Sequence, residues 1–286
     1  MSIVTRFAPS PTGPLHLGHV HAAAVAYRRA RQAGGRFLLR LEDIDPARCR
    51  QDHARAIEAD LLWLGLEWDG AVRVQSAHLA DYAAVLRQLA EDGLAYPCFC
   101  SRADIIRALA APHGLSPGPD RGQDGPDGAP AYPGTCRRLP AGEAMARIAA
   151  GLPHAWRLDM AAALRRTGAL SYEEEGVGVV DCHPARFGDV VLGRKDAPAS
   201  YHLCCTHDDA VQGVTLVTRG EDLRAATDVQ RVLQRLMGWP APRYAHHRLL
   251  TDAAGRRLAK RDRAFSVAAL REAGHHPAAV LAMAGA

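Results

Sequence analysis

The sequence predicts an α/β fold: a Rossmann-type parallel sheet split in two by an inserted α+β region. The first forty residues read strand, helix, strand, and a β-strand followed by a crossover helix and a second strand implies parallel pairing. Strand and amphipathic-helix patterns of the same kind return after residue 187, whereas the stretch between is rich in cysteine, glycine and proline and follows neither pattern.

Taken in order, Ile3 and Val4 begin an extended apolar segment that runs into a Pro/Gly-rich turn, Arg6-Phe7-Ala8-Pro9-Ser10-Pro11-Thr12-Gly13-Pro14-Leu15-His16-Leu17-Gly18-His19. Helical patterning follows from Val20 through residue 33, and Gly34-Gly35 ends it. Residues 36–41 read as a buried strand, with Glu42-Asp43-Ile44-Asp45-Pro46 at its carboxyl end, where open α/β sheets bind ligands. Residues 52–65 form an amphipathic helix with Ile57, Leu61, Leu62 and Leu64 on its apolar face, and residues 76–92 another on Leu79, Tyr82, Val85, Leu86 and Leu89. A new region opens at Ala95. Residues 112–135 are too dense in Gly, Pro and Asp to bury much and read as a surface loop, and residues 141–192 as a mixed, partly antiparallel insertion. Residues 187–196 give a strand and turn, Tyr201 begins a helix, residues 214–220 a strand, and residues 225–237 a helix closed by Gly238-Trp239-Pro240. The expected organisation is 1–96 for the first half of the catalytic domain, 97–186 for the insertion, 187–240 for the second half, and 241–286 for a basic loop and helical tail.

With 286 residues, 48% hydrophobic and 23% charged, the chain is long enough for a real core and ordinary in composition. No apolar run is long enough to span a membrane, and the N-terminus lacks the basic-then-apolar pattern of an export signal, so no membrane partner and a cytoplasmic location are expected. The net charge of +4 permits a polyanionic partner without demanding one. Seven cysteines without a disulfide framework, in a reducing compartment, read as metal ligands where they cluster.

Four constellations carry chemistry. The H-L-G-H turn opens a helix, whose unpaired N–H groups and dipole collect anions, and its two imidazoles add donors while Gly18 leaves room for a flat nucleotide. Cys98 and Cys100, with Cys136 after the loop, offer three thiolates to a structural Zn2+; Tyr132 and His113 are the local choices for a fourth ligand. The remaining cysteines, Cys49, Cys182, Cys204 and Cys205, read as structural. The basic strip Arg256-Arg257-Leu258-Ala259-Lys260-Arg261-Asp262-Arg263 offers cations to a transferring phosphoryl group. Finally Arg6, Glu42 and Arg219 each lie at a strand edge or strand-to-turn junction. Two cations and one anion complement a ligand with two carboxylates and one ammonium, such as glutamate or aspartate, with Ser10 and Tyr201 as neutral hydrogen-bonding partners.

These residues resemble the class I glutamyl-tRNA synthetase family, over essentially the whole chain. The carriers are R-F-A-P-S-P-T-G-x-L-H-x-G-H at the start, L-R-L-E-D-I-D-P at 39–46, D-V-V-L-x-R-x-D at 189–196, S-Y-H-L at 200–203 and V-T-R-G-E-D-L at 217–223. The resemblance implies that Arg6, Phe7, Ala8, Pro9, Ser10, Glu42, Tyr201 and Arg219 bind L-glutamate. It implies that His16, Gly18 and His19 contact ATP as the "HIGH" signature and that Lys260 is the second lysine of a "KMSKS" signature, His16, His19 and Lys260 being catalytic. Arg257 and Ala259 depart from that signature. It favours Tyr132 as the fourth zinc ligand, since C-x-C…Y-x-x-x-C belongs to a short branch of the family. That branch activates glutamate with ATP and Mg2+ without tRNA and transfers it to the queuosine base in the anticodon of tRNA(Asp). Because the sequence ends at Ala286 without the family's helical anticodon-binding region, this short branch, acting as a monomer, is the expectation. The alternatives are a truncated synthetase acting on tRNA(Glu), a non-catalytic tRNA-binding paralogue, and a small-molecule adenylyltransferase, which explains neither Glu42 nor Arg219.

Overall fold

The computed structural model describes residues 2–110, 131–250 and 266–285. Strand β1 (Val4–Phe7), helix α1 (Leu17–Gln32) and strand β2 (Arg36–Leu41) form the first βαβ unit, with β1 parallel to β2 and Val4 opposite Arg36. Helix α1 begins three residues before the expected Val20, because two histidines cap it. The Gly18 N–H donates to His16 Nδ1 at 3.1 Å and the His16 N–H to His19 Nδ1 at 3.3 Å. Imidazole nitrogens thus take the places that hydroxyl and carboxylate oxygens usually fill in a capping box. The buried side of α1 is Leu17, Val20, Ala23, Ala24, Ala26 and Ala30, and its alanines let the helix lie close to the sheet.

The glycine pair after α1 serves two purposes. Gly34 takes a left-handed φ of 61°, and a Cβ on Gly35 would lie 2.0 Å from the Ile3 carbonyl oxygen. Helix α2 (Gln51–Trp63) buries Ile57 and Leu61, with Leu64 buried just beyond its end. Leu62, expected on the same face, is 54% exposed: it follows Leu61 by one residue, about 100° further round the helix. A short strand β3 (Arg73–Val74) extends the sheet beside β2, and α3 (Leu79–Glu91) buries Tyr82, Val85, Leu86 and Leu89 as its spacing indicates.

Strand β4 (Ala95–Cys98), helices α4 (Arg102–Ala110) and α5 (Ala141–Ala149), strand β5 (Ala155–Leu158), helix α6 (Met160–Thr167), strands β6 (Ser171–Glu174) and β7 (Gly178–Asp181), and strand β8 (Val191–Gly193) follow. The pairing of β6 with β7 and of β4 with β5 is antiparallel, as expected for the insertion. Strand β8 differs: its apolar pattern suggested a return to the parallel sheet, but it joins the β4-β5-β8 sheet antiparallel to β5. An apolar run records burial and leaves strand direction open.

The parallel sheet resumes after helix α7 (Tyr201–Val211), with strand β9 (Leu216–Gly220), helix α8 (Ala226–Met237) and strand β10 (Arg243–His247). Strands β9 and β10 are parallel, and β6 lies parallel to β10 at Tyr244 and Glu174, so the hairpin of the insertion widens this second sheet. β9 meets β1 where the Thr215 N–H donates to the Val4 carbonyl at 3.0 Å and the Val4 N–H donates to Thr215 Oγ1 at 2.8 Å. Helices α9 (Val267–Glu272) and α10 (Pro277–Met283) return to α1: the Val267 N–H donates to the Leu15 carbonyl, and Val280 and Ala284 join the core of Val20 and Leu39. The surface-loop expectation for residues 112–135 lies outside the described residues up to residue 130, and the basic strip 256–263 lies outside them entirely.

The Gly34-Gly35 pair gives a direct test of this packing. Gly35→Ala is expected to lower stability by more than about 1 kcal/mol, since the added methyl meets backbone rather than a movable side chain. A thermal melt equal to wild type would refute the close approach of β2 to Ile3.

Candidate functional site

A cavity of about 660 Å3 opens at the carboxyl ends of β1, β2 and β9. The segment leaving β1 contributes Arg6, Phe7, Ala8, Pro9 and Ser10, and the start of α1 contributes His16, Gly18 and His19. Glu42 enters from just past β2, Tyr201 from the first turn of α7, and Arg219 from the end of β9. The residues expected to hold an amino acid and those expected to hold a nucleotide therefore share one cavity. Asp222, Leu223, His247 and Leu249 also line it and were not anticipated. Lys260 lies outside the described residues.

At one end, the His16 and His19 rings stand 3.8 Å apart between centroids, tilted by 31°. With Nδ1 of each ring holding a backbone N–H, the rings are fixed with their Nε2 edges turned from the helix end. A Cβ at Gly18 would fall 3.0 Å from His16 Cε1, so glycine is what lets the imidazole fold back over the helix start. The result is a helix N-terminus flanked by two imidazoles, a setting suited to phosphate.

Beneath the cavity lies a buried ionic network that residue spacing alone does not show. Asp209 on α7 accepts from Arg6 Nε at 2.9 Å and Arg6 Nη2 at 3.3 Å, and from Arg40 Nη1 at 2.8 Å. Arg40 also reaches Glu42 Oε1 at 3.3 Å. Neighbouring Asp208 takes Arg73 Nε at 2.8 Å, Gln75 Nε2 at 2.9 Å and the Tyr82 hydroxyl. Burial pushes the Asp209 carboxyl up, but the guanidinium groups of Arg6 and Arg40 hold it, on balance, below the ordinary carboxylate range. Glu42 goes the other way: burial raises its carboxyl against the pull of Arg40 and Arg6. Cys205, read as simply structural, lies inside this network, its Sγ 3.5 Å from Arg40 Nη2 and 3.8 Å from Asp209 Oδ2. Cys204 is packed in the apolar core.

Arg219 is held differently. It is only 5% exposed, and its guanidinium donates to Thr227 Oγ1 at 2.6 Å, Gln230 Oε1 at 2.9 Å and His246 Nε2 at 3.2 Å. Burial, reinforced by the Arg219 charge, pushes the His246 imidazolium down to about 3, so this partner is neutral too. Among the described residues Arg219 therefore has no carboxylate partner. A buried cation with neutral partners at the wall of a cavity is a receptor for an anion. Tyr201 lines the same cavity, its phenol raised by burial and so a neutral hydrogen-bonding group.

Away from the cavity, the Sγ atoms of Cys98, Cys100 and Cys136 gather within 4.8 Å of one another. Cys100 Sγ lies 3.5 Å from Cys136 Sγ and 3.4 Å from the Tyr132 hydroxyl, whose oxygen accepts the Cys136 N–H at 2.8 Å. The hydrogen bond between Cys98 and Cys136 draws the Cys136 thiol down and pushes the Cys98 thiol up, so Cys136 is the more readily ionised of the two. These donors fit a metal ion, and the Tyr132 hydroxyl oxygen lies beside them; His113 lies outside the described residues.

The missed residues left faint signals. Arg40 is a lone charge inside the apolar strand Phe37-Leu38-Leu39-Arg40-Leu41, and Asp208-Asp209 are acids within the buried run 202–209 of helix α7. A charge in a run meant for the core requires a buried counter-charge. Asp209→Asn is expected to cost about 3–5 kcal/mol by stranding Arg6 and Arg40. Because the Asp209 carboxyl is held below its unfolded value, its contribution is present above the ordinary carboxylate range and lost as pH falls beneath it. Melting of both proteins between neutral and acid pH checks this, and an unchanged difference across the series would refute it.

Residues 2–285 match the family described as tRNA synthetases class I (E and Q), catalytic domain. The chain is 47% identical over 293 residues to the glutamyl-Q tRNA(Asp) synthetase of Rhodobacter capsulatus, covering 99% of this chain and 100% of that protein. It is 42% identical to the enzyme of the same name from Symbiobacterium thermophilum, over 96% of this chain and 83% of that one. Among solved structures it resembles the glutamate-tRNA synthetase of Elizabethkingia anophelis, with a TM-score of 0.75 at 28% identity over 92% of this chain. It spans about half, 53%, of that longer protein.

Proposed function

The chain belongs to the class I tRNA synthetases of the glutamate and glutamine branch, and from that premise we propose that it activates L-glutamate with ATP and transfers it to the queuosine base in the anticodon of tRNA(Asp). The observation that carries the amino-acid part is Arg219, a buried guanidinium with neutral partners facing the cavity shared by Glu42, Tyr201 and Arg6. Glutamate brings one net negative charge to that surplus cation. Glutamine brings none and leaves the cation uncompensated.

In this reading, glutamate lies between Arg6 and Arg219 with its ammonium toward Glu42. ATP lies along the His16–His19 end with its phosphates at the start of α1. An oxygen of the glutamate α-carboxylate attacks the α-phosphorus, and pyrophosphate leaves from the opposite side. Mg2+ accompanying ATP screens the triphosphate charge. The chain does little covalent chemistry itself: it sets two anions side by side and neutralises them with fixed donors. Lys260 is assigned to the α-phosphate as charge builds there. A hydroxyl of the queuosine cyclopentene diol then attacks the carbonyl carbon of the mixed anhydride, and AMP leaves with the phosphate oxygen.

Cys98, Cys100, Cys136 and Tyr132 hold a structural Zn2+ that ties β4 to the segment around residue 136, away from the reacting atoms. The enzyme works as a monomer in the cytoplasm, where reduced thiols remain available to the metal.

Three experiments test this. Glutamate-dependent ATP–pyrophosphate exchange is expected without any tRNA, with glutamine inactive, and Lys260→Ala is expected to slow it by about a hundredfold or more. Label from glutamate is expected on tRNA(Asp) that carries queuosine and absent from queuosine-free tRNA(Asp); labelling of tRNA(Glu) instead would overturn the acceptor. Metal analysis of the purified protein is expected to find one zinc per chain, lost in Cys136→Ser together with several degrees of melting temperature. A fully folded, metal-free wild type would remove the zinc.

A further inference from the structure

We infer that His246 is a positioning residue for Arg219, with Glu174 setting its tautomer, so that a three-strand relay aims the cation that receives the substrate carboxylate. The inference rests on the proposed function, since it assigns Arg219 that task. Glu174, His246 and Arg219 sit on adjacent strands β6, β10 and β9, and the ladder register places His246 opposite Arg219.

Arg219 Nε carries a hydrogen and can only donate, so His246 Nε2, 3.2 Å away, must accept. The ring proton of the neutral imidazole is then on Nδ1. That atom lies 3.2 Å from Glu174 Oε2 as a buried charge contact, and neither atom makes a hydrogen bond to any described residue, so each is the other's nearest polar complement. The His246 side chain is fully buried and Glu174 is 2% exposed, so water does not replace this contact cheaply. The other Glu174 oxygen is held by Arg224 Nη1 at 2.7 Å. The imidazole also lies parallel to the Tyr244 ring, 6.1 Å between centroids and 5° between planes, and the Arg219 guanidinium sits 5.4 Å from the same ring. Tyr244 thus holds both groups in plane from the side.

The relay matters because of what it withholds. Were the carboxylate of Glu174 in direct contact with Arg219, the pair would be self-satisfied and the cavity would lose its surplus charge. A neutral imidazole between them fixes the guanidinium direction while leaving its charge for the ligand. Glu174 in turn is neutralised by Arg224 at the protein surface.

Ring nitrogen-15 NMR of the wild type is expected to show His246 as the Nδ1–H tautomer, with an unprotonated Nε2, across neutral pH. In pyrophosphate exchange, His246→Ala is expected to raise the KM for glutamate by about tenfold or more while the KM for ATP stays within about twofold. His246→Gln, whose amide oxygen reaches the Nε2 position, is expected to recover most of that loss, whereas His246→Asn, which reaches only the Nδ1 position, is not. An Nε2–H tautomer, or equal effects of His246→Ala on both substrates without rescue by glutamine, would overturn the relay. If wild type shows no glutamate-dependent exchange, the proposed function has failed, and the tautomer alone then decides whether His246 and Glu174 fix Arg219. The tautomer measurement also stands if His246→Ala does not fold.

Discussion

Asp209 binds two arginines from two different strands, and most of the site depends on that pairing. Arg6 leaves β1 and Arg40 leaves β2, and both would be buried cations without α7 placing one carboxylate between them. Replacing such a network by apolar groups need not lose stability, but removing one member strands the rest. Its value here is geometric. It ties β1, β2 and α7 to one point directly under the cavity, so the walls carrying Glu42, Tyr201 and the residues after Arg6 have fixed relative positions.

Against this compensated floor, Arg219 stands out. Arg6 and Arg40 spend their charge on Asp209, Asp208 and Glu42, whereas the hydrogen bonds of Arg219 go to groups without charge. One protein therefore holds buried arginine in two ways: as cations paired at close range with carboxylates, and as a cation held by neutral groups at a cavity wall. The helix N-terminus between His16 and His19 supplies the complementary feature for phosphate. In the proposed reading, amino acid and nucleotide meet along one short segment, residues 6–19, with strand at one end and helix at the other.

Much of this was legible from residues alone. Gly34-Gly35 marked the end of α1, and the spacing of Tyr82, Val85, Leu86 and Leu89 marked the buried face of α3. Arg6, Glu42 and Arg219 form a charge inventory in the sequence, with Ser10 and Tyr201 as neutral partners, and the structure brings all five to one cavity. Other features were not legible. The alternation rules do not report that an imidazole can cap its own helix, so α1 was expected to start at Val20 rather than Leu17. Nor does an apolar triplet say with which strand it pairs, so β8 was expected in the wrong sheet.

The class of fold, the buried faces of most helices, the anion-collecting turn and the cluster of thiols can all be read from residue order. Each of these follows from local periodicity or from residue types at short spacing, which the chain writes within a few turns or strands. Which charges are spent and which are left over is settled by the folded arrangement. That distinction depends on Asp209 meeting Arg6 across 203 residues, and on His246 meeting Arg219 across neighbouring strands. Contacts of that separation are fixed by how the sheet closes on its helices, and the same arginines would read identically in the sequence whether their partner was an aspartate or a substrate.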